Sequence, residues 1–253
     1  MKITNMEKLN HIFKHGVLNL LHEGQLTIGI YANFMPIAYK SEKDNYIGMD
    51  VIIMKRFCKA TGLKCKFVEV QVFDGIWFLP SQNKCDVSIG GIGMSAKRIN
   101  SKTEWSIPYF YVDRTLVYNK EDPILTFPKG AHGIIRGTKN SIAWLDARER
   151  IEKSELKIKL LPSSNDKKDI NDLLDGKIQG LVRGSLVGFS LLKKYPKLGM
   201  IKPWKTKPNL VTKDEEVFAF PCKVGSGVSQ LLSSFLTYMI VSGELNIIKQ
   251  EFL

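Results

Sequence analysis

The spacing of apolar residues in the first third of the chain predicts alternating helices and strands. Apolar positions over 5–22 recur with helical periodicity and stop near Gly24. The elements predicted next are a strand Leu26–Tyr31, a polar loop Ser41–Asn45, a helix from Asp50 to Gly62, a strand Lys64–Val70, a short helix Asp74–Gln82 and a strand Cys85–Gly90. This alternation of strands and helices is typical of a parallel sheet with right-handed crossovers.

The second half of the chain repeats the pattern. It predicts a strand Gly133–Arg136, a helix starting near Thr138, a strand Leu156–Leu161, a helix Asp169–Leu174 and a strand Ile178–Arg183. The segments "LPSQNKCDVSIGGI" and "LLDGKIQGLVRGSL" are similar, since each ends a helix in a polar turn with a lysine, continues as an apolar strand and leaves it through a glycine. We therefore expect two similar α/β lobes.

The C-terminal region indicates that the chain returns to the first lobe. A strand Val217–Phe220 precedes an amphipathic helical stretch, Val228–Leu253, with a break at Gly243. The predicted boundaries are 1–109 plus 206–253 for lobe 1 and 110–205 for lobe 2, with two crossover strands near Ser106–Phe110 and Ile201–Lys205. Each lobe is expected to be a central sheet flanked by helices. Ligands of such sheets bind beyond the carboxyl ends of the strands, which predicts a ligand cleft between the lobes.

Charge and hydropathy narrow the class of protein. The chain of 253 residues carries a formal net charge of +12, which first suggests a nucleic acid or an anionic surface as partner. The lysines are scattered, however, and no basic run is interleaved with aromatic residues, so we expect no nucleic-acid partner. The sequence contains no apolar run of the ~18 residues that a membrane span needs. Charged residues interrupt the apolar residues of the N-terminal segment, so this segment is not a signal peptide. We therefore expect a protein that is either intracellular or has lost a targeting segment.

The four cysteines are the remaining compositional clue. Cys58 and Cys65 are close in sequence, and a chain reversal near Gly62 would let their sulfurs meet, although the spacing alone favours two reduced thiols. Cys85 and Cys222 have no defensible pairing. Because the cysteines form no Cys-x-x-Cys pair, we expect neither a metal site nor a cofactor.

Several segments resemble, in order, the polar amino-acid-binding class of periplasmic solute-binding proteins, which is family 3 of the bacterial extracellular solute-binding proteins. They are "LTIGIYANFMPIAY", "YIGMDVIIMKRFCKATGLKCKFVEV", "FDGIWFLPSQNKCDVSIGGIGMSAKRINSKTEWSIPYF", "GTKNSIAW" and "DINDLLDGKIQGLVRGSLVG". The resemblance implies the two-lobed type II periplasmic-binding-protein fold, hinge closure on a small carboxylate ligand such as an amino acid, a monomer, and an ABC-transporter permease as partner. It also implies a periplasmic or extracytoplasmic location and, as in some members, a Cys58–Cys65 disulfide.

The resemblance assigns ligand contacts to particular positions of the first lobe. Arg98 follows a Gly-x-Gly-x-Ser-type loop, and the family uses this arginine to hold the ligand carboxylate, whose two oxygens match the planar guanidinium. Gly91 and Gly93 would let backbone groups approach the solute. Phe34 and Phe73 occupy positions where the family places aromatic rings on either face of the ligand, although each could equally be a core residue.

Other positions bear on which ligand is bound. Tyr31 stands where several binders of cationic amino acids keep an acid, which argues against a lysine- or arginine-type side chain. Thr138 and Lys139 are expected at a helix N-terminus of the second lobe, where free amides favour an anion. The family usually has a hydroxyl residue where this chain has Lys139.

The main departure from the family is Gly184, which stands where amino-acid binders keep an aspartate for the ligand ammonium. A buried ammonium without a carboxylate partner costs on the order of several kcal/mol. Either another acid or water meets the amine, or the ligand lacks an α-amine and Arg183 supplies a second positive charge for a diacid. Strand alternation points Arg183 away from the side of residue 184, which weakens the second alternative.

Two other classes of protein remain to be weighed. "GGIGMS" and "WSIPYF" also resemble cyclohexadienyl dehydratase, an enzyme on the same fold that needs an acid three residues after position 184. Here that residue is Val187, which cannot transfer a proton, so we expect no enzymatic activity. A ligand-sensing domain of a larger receptor is the other alternative.

Overall fold

A computed structural model describes residues 18–99, 102–122, 132–153, 157–163, 165–202 and 215–252. The described helices are α1 (Met49–Thr61), α2 (Ile142–Glu152), α3 (Asp166–Leu174), α4 (Ser185–Lys194), α5 (Val228–Val241) and α6 (Glu244–Phe252). The described strands are β1 (Gln25–Ile30), β2 (Asn33–Phe34), β3 (Ala38–Lys40), β4 (Tyr46–Ile47), β5 (Lys64–Glu69), β6 (Val87–Ile89), β7 (Thr103–Trp105), β8 (Phe110–Asn119), β9 (His132–Gly137), β10 (Lys157–Pro162), β11 (Gly180–Gly184), β12 (Leu198–Ile201), β13 (Glu215–Phe218) and β14 (Pro221–Lys223).

The chain divides into two compact units. Unit 1 contains the described residues up to Phe110 together with Phe218–Phe252, and unit 2 contains the described residues of Tyr111–Val217. The second boundary lies later than the expected position between residues 205 and 206. The physical reason is that β13 pairs with β8, and Glu216 of β13 forms an ion pair with Arg114 of β8, which holds this segment in unit 2.

The main sheet of unit 1 has the order β5-β1-β6-β14-β7. Strand β1 runs parallel to β5 and β6, as the sequence predicts, whereas β14 runs antiparallel to β6 and β7. The inner positions of β1, Leu26, Ile28 and Ile30, are fully buried because β1 lies between two neighbours. A small antiparallel sheet, β2-β3-β4, was not predicted, although its turn at Ser41–Asn45 was.

Helix α1 leads directly into the predicted disulfide. It ends at Gly62, whose left-handed φ of 73° glycine adopts without steric strain, and the N–H groups of Gly62 and Leu63 both donate to the Cys58 carbonyl. The chain therefore reverses into β5, and the Cα atoms of Cys58 and Cys65 lie 6.0 Å apart across the disulfide. This confirms the pairing implied by the family resemblance. Cys85 and Cys222 are buried free thiols.

Unit 2 has a sheet of order β10-β9-β11-β8-β12, with β13 added alongside β8. Strand β9 is parallel to β10 and β11, while β8 is antiparallel to β11 and β12. Helix α4 was not predicted from the sequence. It begins at Ser185, immediately after β11, and buries Leu186, Val187 and Leu191.

Two predicted helices differ in the structure. The stretch Asp74–Gln82 forms two short 3-10 turns, Ile76–Phe78 and Pro80–Gln82, because Pro80 lacks the N–H that an α-helix would use. Residues 18–22 are not helical, and the rest of the predicted N-terminal helix lies outside the described residues. Within the described ranges no single helix is long and apolar enough to cross a membrane; α5 and α6 meet the length and composition criteria only together, with a bend of 77° between them.

Candidate functional site

Arg98 is a buried arginine at the centre of the predicted site in unit 1. Its side chain is 3% exposed, and Nη1 donates a hydrogen bond of 2.6 Å to the Gly93 carbonyl. The guanidinium carbon lies 3.9 Å from the ring centre of Trp77 and 5.9 Å from that of Phe73. The backbone N–H of Arg98 donates to the Ser95 carbonyl, so a tight turn begins the segment that carries this side chain. A buried guanidinium on a glycine-rich loop is suited to bind a carboxylate.

An aromatic cluster surrounds this arginine. Phe73 and Trp77 are buried, and Tyr31 packs against Phe73 edge-on, with ring centres 5.4 Å apart. The structure thus brings Arg98 together with the predicted residues Phe73, Tyr31 and Gly93. Trp77 was missed because it falls in a short apolar run, where the sequence pattern indicates only a core position.

Phe34 and Gly91 are in direct contact. A Cβ atom added at Gly91 would lie 2.7 Å from Cε1 of Phe34, and the residue has a φ of +66°. Both the space and the backbone conformation therefore require glycine at this position. The Phe34 ring covers the first turn of the loop that leads through Gly93 to Arg98.

Asp50 binds the backbone of the glycine-rich loop that leads to Arg98, and the sequence did not predict this role. Its Oδ2 accepts the backbone N–H groups of Gly90 and Gly91, each at 2.9 Å, and its Oδ1 accepts the Tyr109 hydroxyl at 2.7 Å. Burial raises the pKa of Asp50 to about 6, although these three hydrogen bonds favour the charged form. Burial also raises the pKa of Tyr109, whose ring stacks on Phe220 at 4.2 Å. The sequence suggested only a helix cap, but Asp50 lies inside α1 and its carboxylate points to the loop.

Thr138 and Lys139 lie in unit 2, in the turn before α2 rather than at its first residue. Ser141 is the N-cap, since its hydroxyl accepts the Trp144 N–H at 3.1 Å, and its own N–H donates to the Thr138 carbonyl. Asn140 adopts a left-handed φ of 58°, which makes the turn and delays the start of the helix. Thr138 is buried, whereas Lys139 is exposed.

Arg183 takes part in an ion-pair network inside unit 2. Its side chain is 2% exposed, and Nη2 lies 3.0 Å from Asp166 and 3.5 Å from Asp169. Arg136 bonds the other oxygen of Asp169 at 2.9 Å and also Asp172 at 2.6 Å, and it holds the pKa of Asp172 below its usual range. The positive charge of Arg183 is therefore balanced by aspartates of unit 2.

Gly184 ends β11 at the N-cap position of α4. A Cβ atom added there would lie 3.2 Å from Cγ2 of Val112, which is tighter than ordinary contact. Val187, at the position where the related dehydratases need an acid, is buried in the first turn of α4. Among the described residues, no group of three or more His, Cys, Asp or Glu side chains could hold a metal ion.

Most of the chain, including parts of both α/β units, matches a known protein family. The model of the bacterial extracellular solute-binding proteins, family 3, matches residues 26–253. The chain belongs to this family. As a family-3 solute-binding protein it shares its fold with type II periplasmic binding proteins.

Individual relatives of this solute-binding protein are distant. The ABC transporter arginine-binding protein 1 of Escherichia coli (strain K12) is 25% identical over 189 residues, which is 73% of each chain. A substrate-binding protein of an amino acid ABC transporter from Streptococcus pneumoniae, solved with L-arginine, superposes with a TM-score of 0.76 at 20% identity, covering 90% of this chain and 94% of that one. An ancestral amino acid-binding protein described as a precursor of cyclohexadienyl dehydratase gives a TM-score of 0.76 at 20% identity, over 97% and 99%.

Proposed function

We propose that this family-3 solute-binding protein is the extracytoplasmic receptor of an ABC uptake system and that it binds a small carboxylate-bearing solute, most readily an amino acid. The observation that carries the proposal is Arg98, which is buried on the glycine-rich loop beside the rings of Trp77 and Phe73. The relative from Escherichia coli supports it, because that protein belongs to an ABC transporter and binds arginine.

The proposed mechanism is a hinge-closing clamp. The solute carboxylate binds Arg98 through paired charge-assisted hydrogen bonds, with Phe34 and Phe73 against its carbon chain. Unit 2 then closes on the bound solute and contributes the Thr138 turn, with its neighbour Lys139, to the ligand. A membrane permease recognises the closed form, and the receptor works as a monomer in the periplasm or on the cell surface.

The side chain of the ligand is the finer part of the proposal. Tyr31, which packs on Phe73, occupies the place where binders of cationic amino acids keep an acid, so we favour a ligand with a neutral side chain. Gly184 keeps open the alternative of an organic acid or dicarboxylate that lacks an α-amine. Arg183 is left out of the ligand contacts, because Asp166 and Asp169 already neutralise it.

The decisive test is a thermal-shift screen of the twenty amino acids and of small organic acids, followed by calorimetry. A ligand that binds only the folded protein raises its melting temperature. Arg98→Ala should weaken binding of the hit at least about tenfold, since each lost charge-assisted bond is worth roughly 1.5–3 kcal/mol. Arg148→Ala, on the exposed face of α2, is the matched control and should leave affinity unchanged. Equal affinity of Arg98→Ala and wild type would refute the carboxylate assignment.

A dehydratase function is the second candidate, favoured by the resemblance of "GGIGMS" and "WSIPYF" to that enzyme and by the shared fold of the dehydratase precursor. Val187 offers no proton to a departing hydroxyl group at the position where the dehydratases have an acid. We expect no turnover of prephenate or arogenate in a coupled assay. Measurable turnover that disappears in Arg98→Ala would overturn the proposal that the protein only binds its solute.

A further inference from the structure

Among the described residues, Trp77 is the nearest aromatic neighbour of the Arg98 guanidinium, and the proposed clamp assigns it no role. The distance from Cζ to the ring centre is 3.9 Å, compared with 5.9 Å for Phe73. Both partners are nearly inaccessible, since Trp77 is 7% and Arg98 3% exposed. An indole face at this distance attracts a guanidinium through its negative quadrupole, and the attraction is stronger where water is excluded.

We propose that Trp77 is a positioning residue for carboxylate binding, which holds the guanidinium plane of Arg98 in the orientation that the ligand needs. The inference rests on the proposed function, because it assumes that Arg98 binds the solute carboxylate. Stacking uses the face of the guanidinium, whereas its N–H donors point outward in the plane. The ring therefore fixes the orientation of the plane without using any of the donors.

Two contacts with described residues contribute to this orientation. The Gly93 carbonyl accepts one N–H of the Arg98 guanidinium at 2.6 Å, which fixes the position of that nitrogen. The Trp77 ring then limits rotation of the guanidinium plane about this hydrogen bond. Trp77 is itself held by Phe73 and Phe78, with ring centres 6.1 and 5.7 Å away. A guanidinium held in this way loses little rotational freedom when a carboxylate arrives, so binding costs less entropy.

Trp77 belongs to a buried apolar cluster, and a core role and a positioning role predict different effects of its substitution. A residue that only filled the cluster of Phe73, Ile76 and Ile92 could be replaced by another apolar side chain of similar size. A residue that orients Arg98 requires the π-face. Trp77→Leu removes the π-face, whereas Trp77→Phe keeps a ring with a weaker quadrupole.

The first measurement needs no ligand. In wild type, the Arg98 Hε resonance should lie upfield of the other arginine Hε resonances, because it sits over the indole face. In Trp77→Leu it should return to the common range, and Phe67→Leu, which removes a ring that packs on Tyr46 outside this cluster, should leave it upfield. An unshifted Arg98 resonance in the wild type overturns the inference, whichever solute the protein binds.

The second measurement is calorimetric titration with L-glutamine and L-leucine, and with their α-carboxamides as probes that lack the carboxylate. Trp77→Leu should weaken carboxylate binding about tenfold and Trp77→Phe about threefold. The carboxamides should bind wild type and both variants equally weakly, and Trp77→Leu should add nothing in an Arg98→Met background.

The two hypotheses fail differently. If Arg98→Met weakens binding and Trp77→Leu does not, Trp77 is only a core residue and the proposed function stands. If Arg98→Met leaves the affinity unchanged, the proposed function fails, and with it the positioning role of Trp77. If Trp77→Leu weakens carboxylates and carboxamides alike, the effect is structural and the inference is overturned.

Discussion

At the scale of single residues, the feature that best explains the shape of the site is the Asp50 carboxylate. It accepts hydrogen bonds from the backbone N–H groups of Gly90 and Gly91 and from the hydroxyl of Tyr109. Both oxygens of this fully buried carboxylate therefore have hydrogen-bond partners. Helix α1 supplies the carboxylate, and the loop after β6 supplies the amides. Asp50 thus ties the loop of the site to the helix behind it.

Asp50 should make the stability of the protein depend on pH. Its pKa is about 6 in the folded protein, above the value of about 3.9 for an unfolded aspartate, so the folded state binds the proton more tightly. This contribution is fully present below about pH 4 and is lost as the pH rises through 6. Relative to Asp50→Asn, wild type should gain on the order of 2–3 kcal/mol in its free energy of unfolding between about pH 7 and pH 4.

Urea denaturation of wild type and Asp50→Asn at several pH values tests this dependence. The asparagine can still accept the two glycine N–H groups and can donate to the Tyr109 oxygen, so the comparison isolates the ionisable group. Asp175→Asn serves as the control variant, because it removes an exposed carboxylate that pairs with Lys177. Parallel stability curves for wild type and Asp50→Asn would contradict the assigned proton uptake.

At the scale of secondary-structure elements, unit 2 is organised by charges that the sequence pattern does not reveal. One network joins two strands and a helix. Arg183 lies near the end of β11, Arg136 lies near the end of β9, and helix α3 contributes three aspartates. Burying such a network costs free energy, because the charged groups lose their hydration. Removing one member costs more, because the remaining buried charges lose a partner.

Removing Arg183 should therefore cost stability without changing ligand affinity. Among the described residues, Arg136 and Arg183 form ion pairs with Asp169, so Arg183→Met removes one of its two positive partners, and we expect a loss of about 3–5 kcal/mol in the free energy of unfolding. Arg148→Met is the control, because the exposed pair of Arg148 with Glu152 contributes about 0–1 kcal/mol at most. Chemical denaturation measures both losses.

Calorimetry on folded Arg183→Met protein then separates the two roles of this arginine. Unchanged affinity is expected if Arg183 serves only the internal network. A selective loss of dicarboxylate binding would instead revive the alternative in which Arg183 meets a second carboxylate of the ligand.

At the scale of the whole molecule, unit 2 lacks the aspartate with which other amino-acid binders hold the ligand ammonium. Position 184 is a glycine, and Val112 lies 3.2 Å from the place of its missing Cβ. An aspartate here would have to displace the Val112 side chain slightly, but it would restore a carboxylate at the position where amino-acid binders use one.

Gly184→Asp should strengthen binding of α-amino acids about tenfold relative to the corresponding acids without the amine, because a charge-assisted bond to the ammonium is gained. Gly184→Asn, with the same shape and no charge, is the matched control and should give a much smaller change. Val112→Ala in the same chain relieves the contact. If the ratio of amine-bearing to amine-free ligand affinities stays constant in Gly184→Asp, position 184 does not meet the amine.

Much of the architecture follows from local patterns. Alternating apolar runs predicted β1, β5, β6, β9 and the α/β class, and Gly62 predicted the end of α1. The missed elements have specific causes. Helix α4 continues from a buried strand with almost no polar interruption, so periodicity does not separate the two, and the two-residue strands β2 and β4 are too short to leave a pattern.

The sequence by itself determined the class of fold, the family and the disulfide that the family resemblance implied. These depend on residue type and on order along the chain. Only the tertiary structure decided that Asp50 supports the loop, that Trp77 faces Arg98 and that Arg183 is neutralised within its own unit. Those roles depend on which atoms meet across strands and helices far apart in sequence, and the pattern of apolar and polar positions carries no information on such pairings.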